Sequence, residues 1–172
     1  MTTPHASPVF HSLDRHECDA LLAAHHVGRI AYTFRDRVDI EPIHYVSADG
    51  RIFGRTQLGT KVNVLAHHPW VAFEVDEVLD TFHWRSVVVH GRVTFPDPDG
   101  STTDRDEYQR GVEVFRTLIP AAFSKGDPTP DRDLVFVLHP HEVTGRAATP
   151  SSDPRAAERR SGERRKVDGG AA

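Results

Sequence analysis

Cysteine is nearly absent: Cys18 is the only one in 172 residues, which excludes an internal disulfide and any multi-cysteine metal centre. Lysine is almost as scarce. Lys61, Lys125 and Lys166 are the only three, so arginine carries nearly all the positive charge. Long apolar runs are missing too. The longest, such as Leu134 to Leu138, span a few residues, far below the ~18 of a membrane span. The N-terminus lacks the basic-then-apolar layout of a secretory signal, so the expectation is a soluble cytoplasmic protein without a membrane partner. A formal charge of −4 speaks against wholesale nucleic-acid binding. No HExxH, Cys/His or Gly-x-Ser-x-Gly pattern occurs, and the neighbouring side chains of His25-His26 and of His67-His68 diverge on any regular element. No metal site is expected.

What is present reads as one domain, residues 13–148, between a mobile segment at 1–12 and a disordered arginine-rich tail at 149–172. Asp14 followed by Glu17 predicts a capped helix to about His25. Strands follow at Val27–Phe34 and Val38–Val46, with Pro42 marking a bulge or an edge. Asp49-Gly50 predicts a hairpin into Arg51–Thr56, and Thr60 caps a short helix to His67. Two more strands, Trp70–Asp76 and Trp84–Phe95 with a bend at Gly91, precede a helix from Thr102 or Thr103 to Leu118. The last strand runs from Asp133 to His139, loosely to Thr144. Six strands without βαβ alternation predict a mainly β fold, a small antiparallel barrel with flanking helices. Val87–Val89 and Val135–Val137 are apolar on both faces, more than one thin barrel interior needs, which predicts a homodimer.

The stretch from Phe53 to Lys61 concentrates the chemistry. A strand ends in Arg55-Thr56, passes Gly59 and enters a helix at Thr60-Lys61. Helix N–H groups, a hydroxyl and two cations there would cradle an anion such as a phosphate. On spacing alone an ordinary strand–turn–helix with surface cations explains it at least as well, because the longer glycine-rich P-loop pattern is absent.

The order VGRIAY, PIHYV, IFGRT, GTK, HPWVAFEVDE and WRSVVVHGRV resembles the pyridoxamine 5′-phosphate oxidase-like family of flavin-binding split barrels, over about Leu13 to Arg146. The resemblance implies a six-stranded antiparallel split barrel that binds FMN. It assigns Arg55, Thr56, Thr60 and Lys61, around Gly59, to the flavin phosphate and ribityl chain. It lays the backbone of Pro42, Ile43, His44 and Tyr45 along the isoalloxazine ring. Trp84, Arg85 and Ser86 match the strand that, in the family's dimers, reaches the flavin held mainly by the partner subunit. Read from the residues alone, Tyr45 and Trp84 are aromatic core fillers and His44 faces solvent.

The implied function is an oxidoreductase moving electrons between a reductant and a small acceptor, with the cofactor supplying the redox chemistry. The alternatives are a non-catalytic flavin- or haem-binding protein for sensing or stress, and a deazaflavin-dependent reductase on the same barrel. Two departures narrow the field. The true oxidase ends in a basic segment that helps hold the pyridoxal phosphate product, whereas here the tail reads as a solvated segment, against vitamin B6 oxidation. Arg55 also stands near where nitroimidazole-resistance relatives carry a histidine.

Overall fold

The computed structural model describes residues 8–150. In chain order these form β1 (Pro8–Leu13), α1 (Arg15–Ala24), β2 (Val27–Phe34), β3 (Arg37–Ala48), β4 (Arg51–Thr56), α2 (Thr60–His67), β5 (Trp70–Asp80), β6 (His83–Thr94), α3 (Thr102–Leu118) and β7 (Leu134–Pro150). All pairings are antiparallel. The sheet order is β1-β7-β4-β3-β2-β5-β6, and a further β6–β7 pairing closes β2 to β7 into a six-stranded ring, with β1 added outside it. The protein is thus mainly β with flanking helices, the split barrel expected from the sequence.

Local signals explain most of these elements. Asp14 and Glu17 form a full capping box on α1. Two-residue loops join β2 to β3 and β3 to β4, with Arg35, Asp36, Asp49 and Gly50 all at positive φ, the backbone that matches the twist of a hairpin. Gly91 sits at a register shift between β6 and β7, where a Cβ would lie 2.2 Å from the His139 carbonyl. The expected bend there is a β-bulge.

Three expectations need correction. Residues 8–12, assigned to the mobile N-terminal segment, belong to β1, which pairs Pro8↔Pro150 through Leu13↔Gly145. Four of its six residues are exposed, so no apolar alternation announced a strand. β7 continues past Thr144 to Pro150, held between β6 and β1, and takes up Thr149 and Pro150 from the supposed tail. α3 begins at Thr102 and ends at Leu118 as expected, with Ser101 as the cap accepting from the Asp104 amide. Gly59 holds the N-cap of α2, and Thr60 is its first helical residue. Residues 1–7 and 151–172, with the expected disordered tail, lie outside the described residues.

Two apolar clusters share the barrel wall. Ile30, Tyr45, Phe73, Val87, Val89 and Leu138 fill the interior with Leu21 and Leu22 of α1. On the outer side, Phe53, Val135 and Val137 pack against Val112 and Phe115 of α3. The second apolar face of β7, from which a dimer was argued, is therefore covered by the chain's own helix. Gly111 lets α3 approach the wall this closely, since a Cβ there would lie 2.5 Å from the Val135 side chain, and Gly54 on the interior face leaves room for the Phe136 ring, which a Cβ would meet at 1.9 Å.

Candidate functional site

Seven of the expected cofactor residues, Pro42, Ile43, Arg55, Thr56, Gly59, Thr60 and Lys61, line one cleft where the barrel splits. β3 pairs with β4 only from Tyr45↔Gly54 to Ala48↔Arg51, while the earlier part of β3, Arg37 to His44, pairs with β2 alone. Pro42 lies in this unpaired stretch, where its missing N–H costs no ladder bond, so it marks an edge and not a bulge. Beyond Gly54 the two strands separate and leave a cleft of about 320 Å³ between Glu41, Pro42 and Ile43 on one side and Arg55, Thr56 and Gln57 on the other. Gly59, Thr60 and Lys61 at the start of α2 close one end, and Arg132, just before β7, also lines it.

Lys61 is the half-buried cation of this cleft. Its Nζ donates to Glu41 Oε2 at 2.8 Å, and Tyr32 Oη donates to Glu41 Oε1 at 2.6 Å. Partial burial pushes the Glu41 carboxyl up, but the bonds from Lys61 and Tyr32 outweigh it and hold the group below its ordinary value. Burial and the bond to Glu41 push the Tyr32 phenol well up, so Tyr32 keeps its proton.

Arg55 is differently placed. Strand alternation puts it on the face of β4 that carries Phe53, the face covered by α3 and the loop behind it. Its Nη1 and Nη2 donate to Asp127 at 3.3 and 2.7 Å, Nη2 also to the Thr129 carbonyl at 3.0 Å, and Nε to the Arg132 carbonyl at 2.8 Å. The guanidinium lies 4.5 Å from the Phe123 ring centroid. Both partners of the ion pair are 2% exposed. The Arg55 hydrogen bonds, then the amides of Thr129 and Phe123, hold Asp127 far below the usual carboxylate range despite burial. Four of the five N–H donors of Arg55 are thus committed within the protein.

The start of α2 is open. Gly59 offers no side-chain cap, so the first-turn amides of this helix lack the partner that a serine or aspartate would supply. Thr56 is buried, and its hydroxyl makes one long contact of 3.4 Å with the Gln57 carbonyl. Under-bonded donors beside Lys61 and the exposed Arg132 fit an anionic group such as a phosphate. On the other side of Thr60 lies a wider groove of about 1010 Å³, lined by Phe34, Arg35, Asn63, His67 and Trp70 among others. Both spaces fall near the roughly 300–1,000 Å³ of small-molecule sites.

The remaining expected residues divide. Pro42 and His44 are exposed and Ile43 is buried. Tyr45 is fully buried, packs edge-on against Phe73 and donates to the Leu22 carbonyl at 2.7 Å, so its ring is core and only its backbone remains for a ligand. Trp84 and Arg85 line a separate cleft of about 290 Å³, with Arg85 paired to Glu77, and Ser86 donates to Glu74 Oε1 at 2.8 Å. One copy of the chain does not bring them to Lys61. Sequence reasoning missed Tyr32, Glu41, Asp127 and Arg132. Tyr32 and Glu41 sit close to opposite each other on a readable hairpin, whereas Asp127 is 72 residues from Arg55 in an irregular loop, with no pattern to flag it. Among the described residues no helix is long and apolar enough to cross a membrane, and no three His, Cys, Asp or Glu side chains converge as metal ligands.

Comparison with known proteins adds relatives to this geometry. The chain is 36% identical over 141 residues to an uncharacterised protein of Mycobacterium tuberculosis, covering 77% of this chain and 82% of that one. It is 31% identical over 80 residues to an uncharacterised protein of Rhizobium meliloti, covering 46% of this chain and only about half, 53%, of the relative. Among solved structures, an FAD-binding protein of Mesorhizobium loti superposes with a TM-score of 0.66 at 25% identity, over 82% of this chain and 99% of that one. The sequence profile of the pyridoxamine 5′-phosphate oxidase family matches residues 14–147, from the α1 cap to the far half of β7, and to that family this chain belongs.

Proposed function

We propose that the protein is a flavin-dependent oxidoreductase that binds the flavin phosphate in the Lys61 cleft. The observation that carries this reading is the coincidence of an uncapped helix start, a half-buried lysine and the under-bonded Thr56 hydroxyl in the gap between β3 and β4. A bound flavin supplies hydride and electron transfer. The chain's own contribution is to bind and orient: α2 amides and Lys61 toward the phosphate, and the unpaired edge Glu41–His44 toward the ring. Family membership supports the reading, and so does the description of the Mesorhizobium loti neighbour as FAD-binding.

FMN satisfies the cleft, but the wider groove that shares Thr60 with it favours FAD, whose adenylyl half would lie between Phe34, Arg35 and Trp70. The reading includes a twofold dimer in which Trp84 to Ser86 of one copy approach the flavin of the other. Val27, Val38 and Ile40, more than half exposed on the β2–β3 hairpin, are the apolar surface such a dimer would bury.

Titrating apoprotein with FMN, FAD and riboflavin by fluorescence quenching tests the binding. FAD should bind tightest and riboflavin, which lacks a phosphate, weakest. No quenching by any of them would end the reading. Anaerobic bleaching of the loaded protein by a nicotinamide nucleotide or another reductant, followed by reoxidation with an acceptor, separates an enzyme from a protein that only carries flavin.

A further inference from the structure

A count of charges in the cleft does not favour its two expected cations. Lys61 is neutralised by Glu41, and Arg55 is neutralised by Asp127 in a pair closed to solvent. An anion entering beside these groups meets two ion pairs and one carboxylate edge, with no net positive charge from either pair. Arg132 is different. It is exposed, it lines the cleft, and its side chain makes no hydrogen bond or ion pair with any described residue. Its acidic neighbours Asp131 and Asp133 do not line the cleft.

Nor is Arg132 a loose surface residue. Its carbonyl accepts from Arg55 Nε at 2.8 Å, and its amide donates to the Thr129 carbonyl at 3.1 Å. Thr129 is held by Asp127 in turn, through its amide at 2.8 Å. The buried pair therefore fixes the backbone from which the free guanidinium projects.

We propose that Arg132 supplies the net positive charge that draws the flavin phosphate into the Lys61 cleft, and that Arg55 positions Arg132 instead of binding the phosphate. This rests on the flavin reading above. Its chemistry is that of a planar fork meeting a phosphate, for which arginine is suited. Lys61 then receives the phosphate in competition with Glu41, and the α2 amides bond the remaining oxygens.

The test uses the full chain with FMN and riboflavin as probes, in Arg132→Ala and Arg132→Lys. Alanine keeps the carbonyl that Arg55 needs, so both variants should melt with the unaltered protein. Arg132→Ala should weaken FMN by roughly 5- to 30-fold at low salt, reaching below the range for charge-assisted bonds because the group is exposed. Arg132→Lys should restore part of that loss, riboflavin affinity should not move, and high salt should shrink the difference by screening. If FMN binds Arg132→Ala within about twofold of the unaltered protein, Arg132 is not the phosphate's cation. If the unaltered protein quenches no flavin at all, the flavin reading itself has failed, and the role of Arg132 fails with it.

Discussion

Arg55 and Lys61 border the same cleft and each meets one carboxylate, yet the two ion pairs are different objects. The Arg55–Asp127 pair is sealed, with both side chains 2% exposed and the carboxylate also bonded by the amides of Phe123 and Thr129. The Lys61–Glu41 pair is half open, at 15% and 42% exposure. In the first, water cannot replace a lost partner, so either charge alone would be stranded. In the second, solvent or an incoming anion can replace a partner at small cost. A buried pair builds, and a half-open pair can exchange. That difference separates holding a loop from holding a ligand.

The largest expected effect comes from breaking the sealed pair. Arg55→Ala should destabilise the protein by about 3–5 kcal/mol, because it leaves Asp127 buried and unpaired. For a domain of this size that is a fall in Tm of roughly 6–20 °C. Arg55→Met with Asp127→Leu should recover only part of it, since the Phe123 and Thr129 amides still lose their acceptor. The acid limb sharpens the point. Asp127 titrates far below its unfolded value in the folded protein, so its contribution is complete above about pH 4 and fades as pH falls further, where the unfolded chain binds the extra proton. Denaturant melts from pH 6 downward should therefore fall more steeply for the unaltered protein than for the double variant. Equal slopes would mean that the pair does not carry the loop.

The half-open pair should respond in binding and hardly in stability. Lys61→Ala should cost about 1.5 kcal/mol of FMN affinity, roughly tenfold, at the low end for charge-assisted bonds because Glu41 already shares the ammonium. Glu41→Gln should move the other way, tightening FMN by roughly 3- to 10-fold by removing the competing charge. Both should stay within about 1 kcal/mol of the unaltered stability. Titration and thermal melts on the same samples give both quantities, and a large Tm loss in Lys61→Ala would erase the contrast with Arg55.

The smallest effect tests the helix start. A Cβ at Gly59 meets nothing within 4 Å, and the extended backbone there suits any residue. Gly59→Asp would cap α2 and stabilise it by a few tenths of a kcal/mol, while placing a carboxylate where the phosphate should sit. A slightly higher Tm with weaker FMN binding is the expected pair of results. Unchanged binding would show that the α2 amides do not face the ligand.

Most of the ring was legible because β2, β5 and β6 carry hydrophobic alternation, β4 follows the Asp49-Gly50 turn as the second arm of a hairpin, and the other turns carry local signals. The capping box at Asp14 and Glu17 was equally plain. β1 and the far half of β7 were not, since Val9 and Phe10 are exposed and the run from Pro140 to Gly145 has no apolar period; long-range pairing makes them strands, β7 on β6 from Pro140 to Ala148 and β1 on Gly145 to Pro150. In the site, Lys61 and the open start of α2 could be read from Gly59-Thr60-Lys61. The partner of Arg55 could not, because strand alternation gives the face but not what covers it, and the cover comes from a loop without periodicity.

The length of β7 sets the timing of folding. β4 gains its second neighbour only when Leu134 to Leu138 arrive, and β1 finds its mate only in Gly145 to Pro150. On a ribosome adding about 5–20 residues per second, the outer edge of β4 waits of order 4–16 seconds for that strand. Through that interval the apolar stretch around Ile52 and Phe53 is an unpaired edge, open to any extended chain nearby. The barrel cannot close during most of its own synthesis, and its yield in the cell depends on what shields β4 until the last strand emerges.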